Sequence, residues 1–406
     1  MIDWTQSMQQ SFEFYIVDPN TWKDVTLLTT VKSCTISRDI EADTLGSASI
    51  DIVESVGECY IRAYLVAIQN GLTEKHPLGT FLVQTPSSNY DGKTRDVSMD
   101  AYTPLMELKE NPPSLGYYAP KSVYYKVEFS EGVYTATTEV LESVFGVIKE
   151  GARTTSGKQV FEQIADNDTV TYYCMNDTVM DLAYRLVREN ARAPVIRTEN
   201  ATPLHYDFIS DPNDTWLTFL KDLIAGANYE FVIDELGRIR FSPKRDVASM
   251  QPVWTYNDDN SSILYPELSM KHDLYQVPNV VEVLYSNGND NICKQAVNDD
   301  PNSPTSIPSR GRRILHRITN PDLVGVPTEN QVQEYADQVL KALSTIEYTI
   351  TYSHGFCPVK AGDCVRLNYT KAGIKNIKAK VINQSIKCEA GSKVTETAVF
   401  TTNLWR

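Results

Sequence analysis

Between residues 214 and 241 the chain reads DTWLTFLKDLIAGANYEFVIDELGRIRF, where the hydrophobic period changes from that of a helix to that of a strand. Trp216, Phe219, Leu220, Leu223 and Ile224 recur at spacings that put one apolar stripe on a helix, with Asp214 or Asn213 placed to cap its start and Gly226 to stop it. Tyr229, Phe231 and Ile233 then alternate, Asp234 to Gly237 has turn chemistry, and Ile239 and Phe241 alternate again, which predicts a hairpin. A single hairpin is marginal in water, so this unit needs a larger body to pack on.

β-patterned sequence on both sides supplies that body. From Phe12 to Tyr102 the runs FEFYIVD, KDVTLL, KSCTISRDI, SASIDIVE, YIRAYLVAIQNG, HPLGTFLVQTPS and DVSMDAYT follow one another. Turn residues at Asp18-Pro19-Asn20, Gly46-Ser47, Asn70-Gly71 and Asp91-Gly92 separate them, the spacing of an antiparallel barrel or sandwich. The alternation from Ser47 to Ile52 predicts one packed and one exposed face. Asn111-Pro112-Pro113 and the stretch Gly116 to Pro120 then break the pattern.

Two amphipathic helices are predicted next, over Thr138 to Lys149 and over Asp177 to Ala191. Asp177 is the expected cap of the second, with Val179, Leu182, Ala183, Leu186 and Val187 as its stripe. After Pro243 strand patterns return at Val280 to Tyr285, Tyr348 to Tyr352, Cys364 to Tyr369, Ile377 to Ile386 and Val394 to Thr401. One helix interrupts them from Thr328 to Leu343, where Thr328 and Gln331 have capping-box spacing and Val332, Tyr335, Ala336, Val339, Leu340 and Leu343 share a face. Asn287 to Pro308, rich in Asn, Asp, Pro and Ser, is expected to be a mobile surface loop. The fold class expected is α+β, mainly β: a first antiparallel barrel or sandwich domain over residues 1–110, a mixed α/β connecting domain over 111–245 and a second β domain over 246–406 containing the 328–343 helix. The two β halves share no strong internal repeat.

Charge is unevenly spread. The 406 residues carry a formal −14; residues 1–245 hold 22 Lys and Arg against 35 Asp and Glu, and residues 246–406 hold 16 against 17. Acidity of that size opposes sequence-specific nucleic-acid binding, while suiting a surface that lets DNA pass without sticking. No basic stretch followed by an apolar run opens the chain and no 18 consecutive apolar residues occur, so neither a signal peptide nor a membrane span is expected. Asn-x-Ser/Thr triplets at Asn167, Asn176, Asn200, Asn213, Asn368 and Asn383 are accordingly read as unglycosylated.

The residue types that carry chemistry do not assemble into a site. Seven scattered cysteines, Cys34, Cys59, Cys174, Cys293, Cys357, Cys364 and Cys388, contain no C-x-x-C pair and read as packed thiols. His354 with Cys357 and Cys364 is the sole cluster with metal-like proximity, short of the four ligands of a structural zinc site. Gly151 to Lys158 has five residues between its glycines and Gln159 after the lysine, where a phosphate loop needs four and a hydroxyl, so it is expected to be a polar loop. His76, His205, His272, His316 and His354 stand apart, and acid pairs such as Glu54 with Glu58 or Asp258 with Asp259 are expected by chance among 52 acids. Arg310, Arg312, Arg313 and Arg317 form a basic cluster best suited to contact with an acidic neighbouring copy. No catalytic, cofactor-binding or metal-binding residue is assigned, and no enzyme activity is expected.

The order of motifs resembles the tail-hub proteins of phage baseplates and the related spike-base domain of type VI secretion systems. Thr215, Trp216, Phe219 and Leu220 lead into Gly226, Tyr229, Phe231, Asp234, Gly237, Ile239 and Phe241; Val277-Pro278-Asn279-Val280-Val281 enters the second β half; and Val359 to Val365 resembles a pro-gly-asp-x-val turn, with Ala361 where that family often has Pro. The resemblance implies two tail-tube-like barrels per chain and a homotrimer closing into a pseudo-sixfold ring. Such a ring joins the tail tube or distal tail protein to a spike or fibre and encloses a channel for a tape-measure protein and DNA in passage. It also implies a place in a virion baseplate, or a phage-derived bacteriocin particle, assembled in the host cytoplasm. The chain stops after its last β pattern, so no appended hydrolase or spike needle is expected. The competing reading is a β-sandwich carbohydrate-binding or glycan-hydrolysing protein, suggested by Tyr and Trp content and paired acids.

Overall fold

A computed structural model describes residues 2–404 except 54–55, 91, 93–94, 123, 131–132, 142–147, 154–158, 165–169, 176–177, 201, 260–262, 273, 276, 287–290 and 322–326; within 124–175 it defines backbone alone. Two compact units result, Met1–Asp246 with Ser385–Lys393 and Val247–Gln384 with Val394–Arg406.

In the first unit the seven predicted runs form β1 (Gln9–Val17), β2 (Asp24–Leu28), β3 (Val31–Asp39), β4 (Gly46–Ile52), β5 (Tyr60–Gln69), β6 (Leu72–Tyr90) and β7 (Arg95–Tyr102). They pair antiparallel throughout, in the order β3-β4-β7-β6-β5-β1-β2. The sheet is open: among the described residues β1 is the sole partner of β2, and no closed barrel of the expected kind forms. β2 has only 5 residues, and its ladder with β1 shifts register between Ile16 and Val17, so it does not carry the pairing further round. Asn70 (φ 49°) and Gly71 (φ 79°) give the β5–β6 hairpin the two left-handed residues it demands. The turn expected at Gly46-Ser47 falls earlier, and Gly46 instead opens β4, where a Cβ would stand 2.5 Å from the Ser37 carbonyl oxygen.

A short helix, α1 (Met106–Glu110), leads into β8 (Tyr118–Ala119) and then into an antiparallel sheet of β9 (Tyr124–Ser130), β10 (Val133–Leu141), β11 (Ile148–Arg153), β12 (Gln159–Ile164) and β13 (Val170–Met175), ordered β10-β9-β13-β12-β11. The helix expected over Thr138 to Lys149 is therefore corrected to strand at residues 138–141 and 148–149, with 142–147 outside the described residues. Thr135, Thr137, Thr138 and Val140 are β-branched and lose rotamer freedom in a helix, and β9 offers a ladder in which Val140 faces Tyr125. Residues 151–153 of the glycine-flanked loop are likewise strand; 154–158 lie outside the described residues.

Next come α2 (Val179–Asn190), β14 (Phe208–Ile209), which pairs with β8, α3 (Trp216–Ala225), and the hairpin β15 (Tyr229–Ile233) with β16 (Ile239–Pro243). Both predicted stripes are buried, and with Leu105, Leu108, Phe231, Ile239 and Phe241 they form one core. The caps differ from expectation by one residue. Thr178 rather than Asp177, which lies outside the described residues, accepts from Asp181 N on α2; Thr215 closes a capping box with Thr218 on α3, and Asp214 accepts from the Thr218 hydroxyl. Gly226 ends α3 in ordinary helical geometry (φ −59°), and Asn228 takes the left-handed position (φ 60°) that redirects the chain into β15.

The second unit contains β17 (Trp254–Asn257), β18 (Leu264–His272), β19 (Val280–Ser286), β20 (Asn291–Val297), α4 (Ile307–Arg310), β21 (Leu315–Thr319), α5 (Glu329–Leu343), β22 (Thr345–Gly355), β23 (Cys364–Tyr369), β24 (Ile374–Lys387) and β25 (Lys393–Asn403). Its main sheet runs β18-β22-β25-β24-β23-β17. A smaller sheet, β20-β19-β21, is covered by α5 through Val332, Ala336 and Leu340, and Thr328 caps that helix as its spacing predicts. The mobile loop expected over Asn287 to Pro308 is instead structured where it is described. Residues 291–297 are β20, and Asn298 holds Ser303 (2.9 Å) and Thr305 (3.3 Å) in a buried turn before α4. Polar composition marks a loop only where no ladder or buried hydrogen-bond set claims it.

Trp216 anchors the α3 core edge-on to Tyr117 (5.0 Å) and Phe219 (5.8 Å). Trp216→Ala is expected to cost about 3–5 kcal/mol in chemical denaturation; a loss below about 1 kcal/mol, within the range of surface substitutions, contradicts this packing.

Candidate functional site

The turn between β15 and β16 is held by the first β sheet. The Leu236 carbonyl accepts from Trp22 Nε1 (2.6 Å) and Arg62 Nη2 (3.1 Å), and the Glu235 carbonyl accepts from Thr80 Oγ1 (3.2 Å). Arg62 is 4% exposed; Asp24 neutralises it at 2.7 Å, and its Nε donates to Thr80 Oγ1 at 2.8 Å. Asp234 stiffens the turn from within, accepting from Arg238 N (2.9 Å), Arg238 Nε (2.7 Å) and Arg240 Nη2 (3.1 Å). Gly237 sits at φ 75°, and a Cβ there would lie 2.7 Å from Thr80 Cβ. Three part-buried hydrogen bonds, that from Arg62 charge-assisted, satisfy the turn carbonyls and make this a directional joint.

A second polar cluster lies inside the other unit. Glu396 accepts from Tyr352 OH (2.7 Å) and Gln384 Nε2 (2.7 Å) and faces His354 Nε2 at 3.3 Å. Tyr256 OH bridges His354 Nε2 (3.0 Å) and Cys357 Sγ (3.1 Å). Burial alone lowers the His354 pKa, but hydrogen bonding to Cys357 and then Glu396 outweighs it and carries the value up to about 10. Burial raises Glu396, and His354 more than reverses that, leaving the carboxyl below its ordinary value. Burial pushes both tyrosines well above the usual phenol value. His354, Glu396 and Cys357 are each at most 1% exposed, so this acid–base–thiol set meets no substrate and acts as an internal ion pair.

Outward, the first sheet shows a uniform surface. Thr35, Ser49 and Asp100 form one cross-strand row and Ser33, Asp51 and Ser98 the next, while Cys34, Ile50 and Met99 point to the core. Beside β2 a cleft of about 430 Å³ is lined by Val17, Pro19, Val25, Tyr60 and Leu82 together with Glu58, Glu107 and Arg192. Glu107 is occupied by Tyr60 OH and by Arg192 N (2.7 Å), and burial first, then Glu107, keeps the Tyr60 phenol protonated.

Cys357 joins His354, but Cys364 turns away to the Val365 carbonyl (3.9 Å). Among the described residues no group of three or more His, Cys, Asp or Glu is arranged to hold a metal. Asp258 accepts from Thr370 Oγ1 (3.0 Å) and Lys371 N (3.1 Å), so it secures a turn; Glu54 lies outside the described residues. His76 packs edge-on to Trp4 and His272 lies against Tyr348. The arginine cluster is largely engaged within its own unit: Arg310 donates to the Val277 (3.0 Å) and Leu274 (2.9 Å) carbonyls, Arg313 to Gln295 (3.0 Å) and Arg317 to Glu282 (2.6 Å). The Val359 to Val365 turn forms, with Gly362 at φ 95° and Asp363 accepting from Lys360 N (2.9 Å).

No protein-family model matches the sequence, and no curated protein does. Solved structures do. The chain resembles a tail protein from Neisseria meningitidis MC58 with 12% identity and a TM-score of 0.52, covering 97% of this chain and 98% of that one. It resembles the 43 kDa tail protein of prophage MuSo2 from Shewanella oneidensis with 11% identity and a TM-score of 0.51, over 95% and 97% of the two chains. A chain of the Francisella PdpA-VgrG complex matches at 7% identity and a TM-score of 0.50, over 97% of this chain and 53% of that one.

Two outcomes follow from this geometry. Gly237→Val is expected to cost more than about 1 kcal/mol, because it strains a left-handed residue and forces the turn off Thr80; unchanged denaturation would refute the joint. The His354–Glu396 pair contributes to stability through both partners. The His354 part is complete below its ordinary value of 6.5 and is lost as pH rises through about 10; the Glu396 part is present above its ordinary value of 4.5 and is lost as pH falls through its lowered value. Thermal stability should therefore fall from pH 6 to pH 10 (about), and Glu396→Gln should flatten that slope while costing about 3–5 kcal/mol near neutrality; an unaltered slope contradicts the pairing.

Proposed function

We propose that this chain, which has the fold of phage tail proteins, is a structural hub of a virion tail or baseplate, or of a phage-derived particle. The observation that carries the proposal is the fold likeness to tail proteins over 97% and 95% of the chain, which leaves little of it for another task. In this reading residues 1–110 and 246–406 are the two tube-like domains and 111–245 connects them, fixed to the first by the Asp234 to Gly237 turn.

The finer arrangement follows from the open sheet. β2 ends it with backbone groups that pair with no further strand among the described residues, and Val25 and Leu27 on it are 60% and 46% exposed. Such an edge is stabilised when another copy covers it. Three copies, each contributing two β units, would form a pseudo-sixfold ring between the tail tube or distal tail protein and a spike or fibre. The Ser, Thr and Asp rows of β3, β4 and β7 suit a channel wall: they hold water and repel phosphate, so a tape-measure protein or DNA passes without adhering. A glycan-binding sandwich is not favoured by a fold shared with tail proteins over nearly the whole chain.

Mass photometry of the purified chain is expected to give a trimer, and Val25→Glu with Leu27→Glu to shift it towards monomer with the fold kept. A wild-type monomer at micromolar concentration would refute the ring.

A further inference from the structure

The second unit has its own outward sheet face, matching the first in hydroxyl content and opposite in charge. Thr351 meets Thr397 (3.1 Å) and Ser353 meets Thr395 (2.9 Å) across β22 and β25. On β24 and β23 the same non-core phase carries Lys378, Lys380 and Arg366, while Ala379, Val381, Val365 and Leu367 are buried. Residues 360–380 contain six Lys or Arg and one acid, Asp363.

Arg366 and Lys378 are directly opposed in the β23–β24 ladder, an arrangement of like charges that costs stability unless an anion offsets it. Among the described residues no carboxylate forms an ion pair with either. Among the described residues Lys380 and Arg366 have no ion pair, and Arg366 Nε is buried without an acceptor. Lys378 Nζ is steadied by the Met250 (3.0 Å) and Ala248 (3.4 Å) carbonyls, which position the ammonium without neutralising it. We propose that the outward face of β23 and β24 is a contact strip for the phosphate backbone of nucleic acid, with Arg366, Lys378 and Lys380 as its cations and neighbouring hydroxyls as secondary donors.

Chemistry separates this occupant from an acidic protein. Exposed lysine–carboxylate pairs contribute little each, and lysine is depleted in protein interface cores. A polyanion releases condensed counterions for every cation it meets, so a few cations yield weak, salt-sensitive, sequence-independent contact. Such a strip would steady DNA moving along a wall that elsewhere repels it; the inference rests on the channel reading above.

The test is fluorescence anisotropy of the full chain with a labelled single-stranded DNA 30-mer, titrated in KCl from 25 to 200 mM (about the range in which phosphate contacts weaken steeply). Arg366→Gln/Lys378→Gln/Lys380→Gln should bind at least about tenfold more weakly at low salt, with the log–log salt slope reduced by about 2. Lys378→Arg/Lys380→Arg should retain binding. Lys32→Gln/Lys75→Gln/Lys109→Gln, which removes the same charge from cations paired with Asp96, Glu13 and Asp43, should change it little. Absence of wild-type binding at the lowest salt, or an equal loss in that control, overturns the strip. If the triple Gln variant loses trimer mass but keeps DNA binding, the face joins copies of the chain and the inference fails while the ring stands. A monomeric wild type that still shows the expected difference supports the strip and removes the ring.

Discussion

Arg62 is the hinge of the first unit's architecture. Buried on β5 and neutralised by Asp24, it turns a charge that would be costly in a core into a pair of hydrogen-bond donors. With Trp22 and Thr80 it captures the carbonyls of Glu235 and Leu236, groups that a four-residue turn leaves unpaired. The helix-and-hairpin section is thereby bound at its tip as well as through the α2–α3 core, and its orientation on the sheet is set by directional bonds rather than by apolar packing alone.

Much of this fold was legible because β-branched and aromatic runs are bounded by turn residues, and β4 alternates strictly between a wet and a packed face. Each of the seven early runs became a strand, and the Ser47 to Ile52 alternation foretold the hydroxyl face over Ile50 and Ile52. What misled was local ambiguity. Thr138 to Lys149 satisfies a helical period, but Val140 pairs on β9 and Ile148 on β12, and a long-range partner is invisible in a short window. The caps at Thr178 and Thr215 sit beside equally competent acids, so the first turn's geometry had to choose. Asn287 to Pro308 looked like a loop by composition, yet Asn298 and Ser303 spend their polarity on each other.

The buried His354–Glu396 pair left a signal that composition hides. Val394, Glu396, Ala398 and Phe400 share the core phase of β25, as Ile350, Tyr352 and His354 do on β22. An acid and a base each standing in a core register predict one another, though 42 residues part them. The turn joint was less legible, because nothing in Trp22, Arg62 or Thr80 points to residues 235 and 236 so far along the chain. The two outward sheet faces were half legible: the acidity of residues 1–245 was visible, but the near neutrality of residues 246–406 conceals that Arg366, Lys378 and Lys380 share one face of β23 and β24.

In the proposed hub, copies of the same chain cover the open sheet edge and leave the Ser, Thr and Asp rows of β3, β4 and β7 lining a channel. Electron microscopy of the purified assembly tests it most directly. The account predicts threefold class averages with six β lobes around an open centre, the Ser, Thr and Asp rows of β3, β4 and β7 facing inward. Compact particles without a central opening, or a ring that buries those rows between subunits, would contradict it.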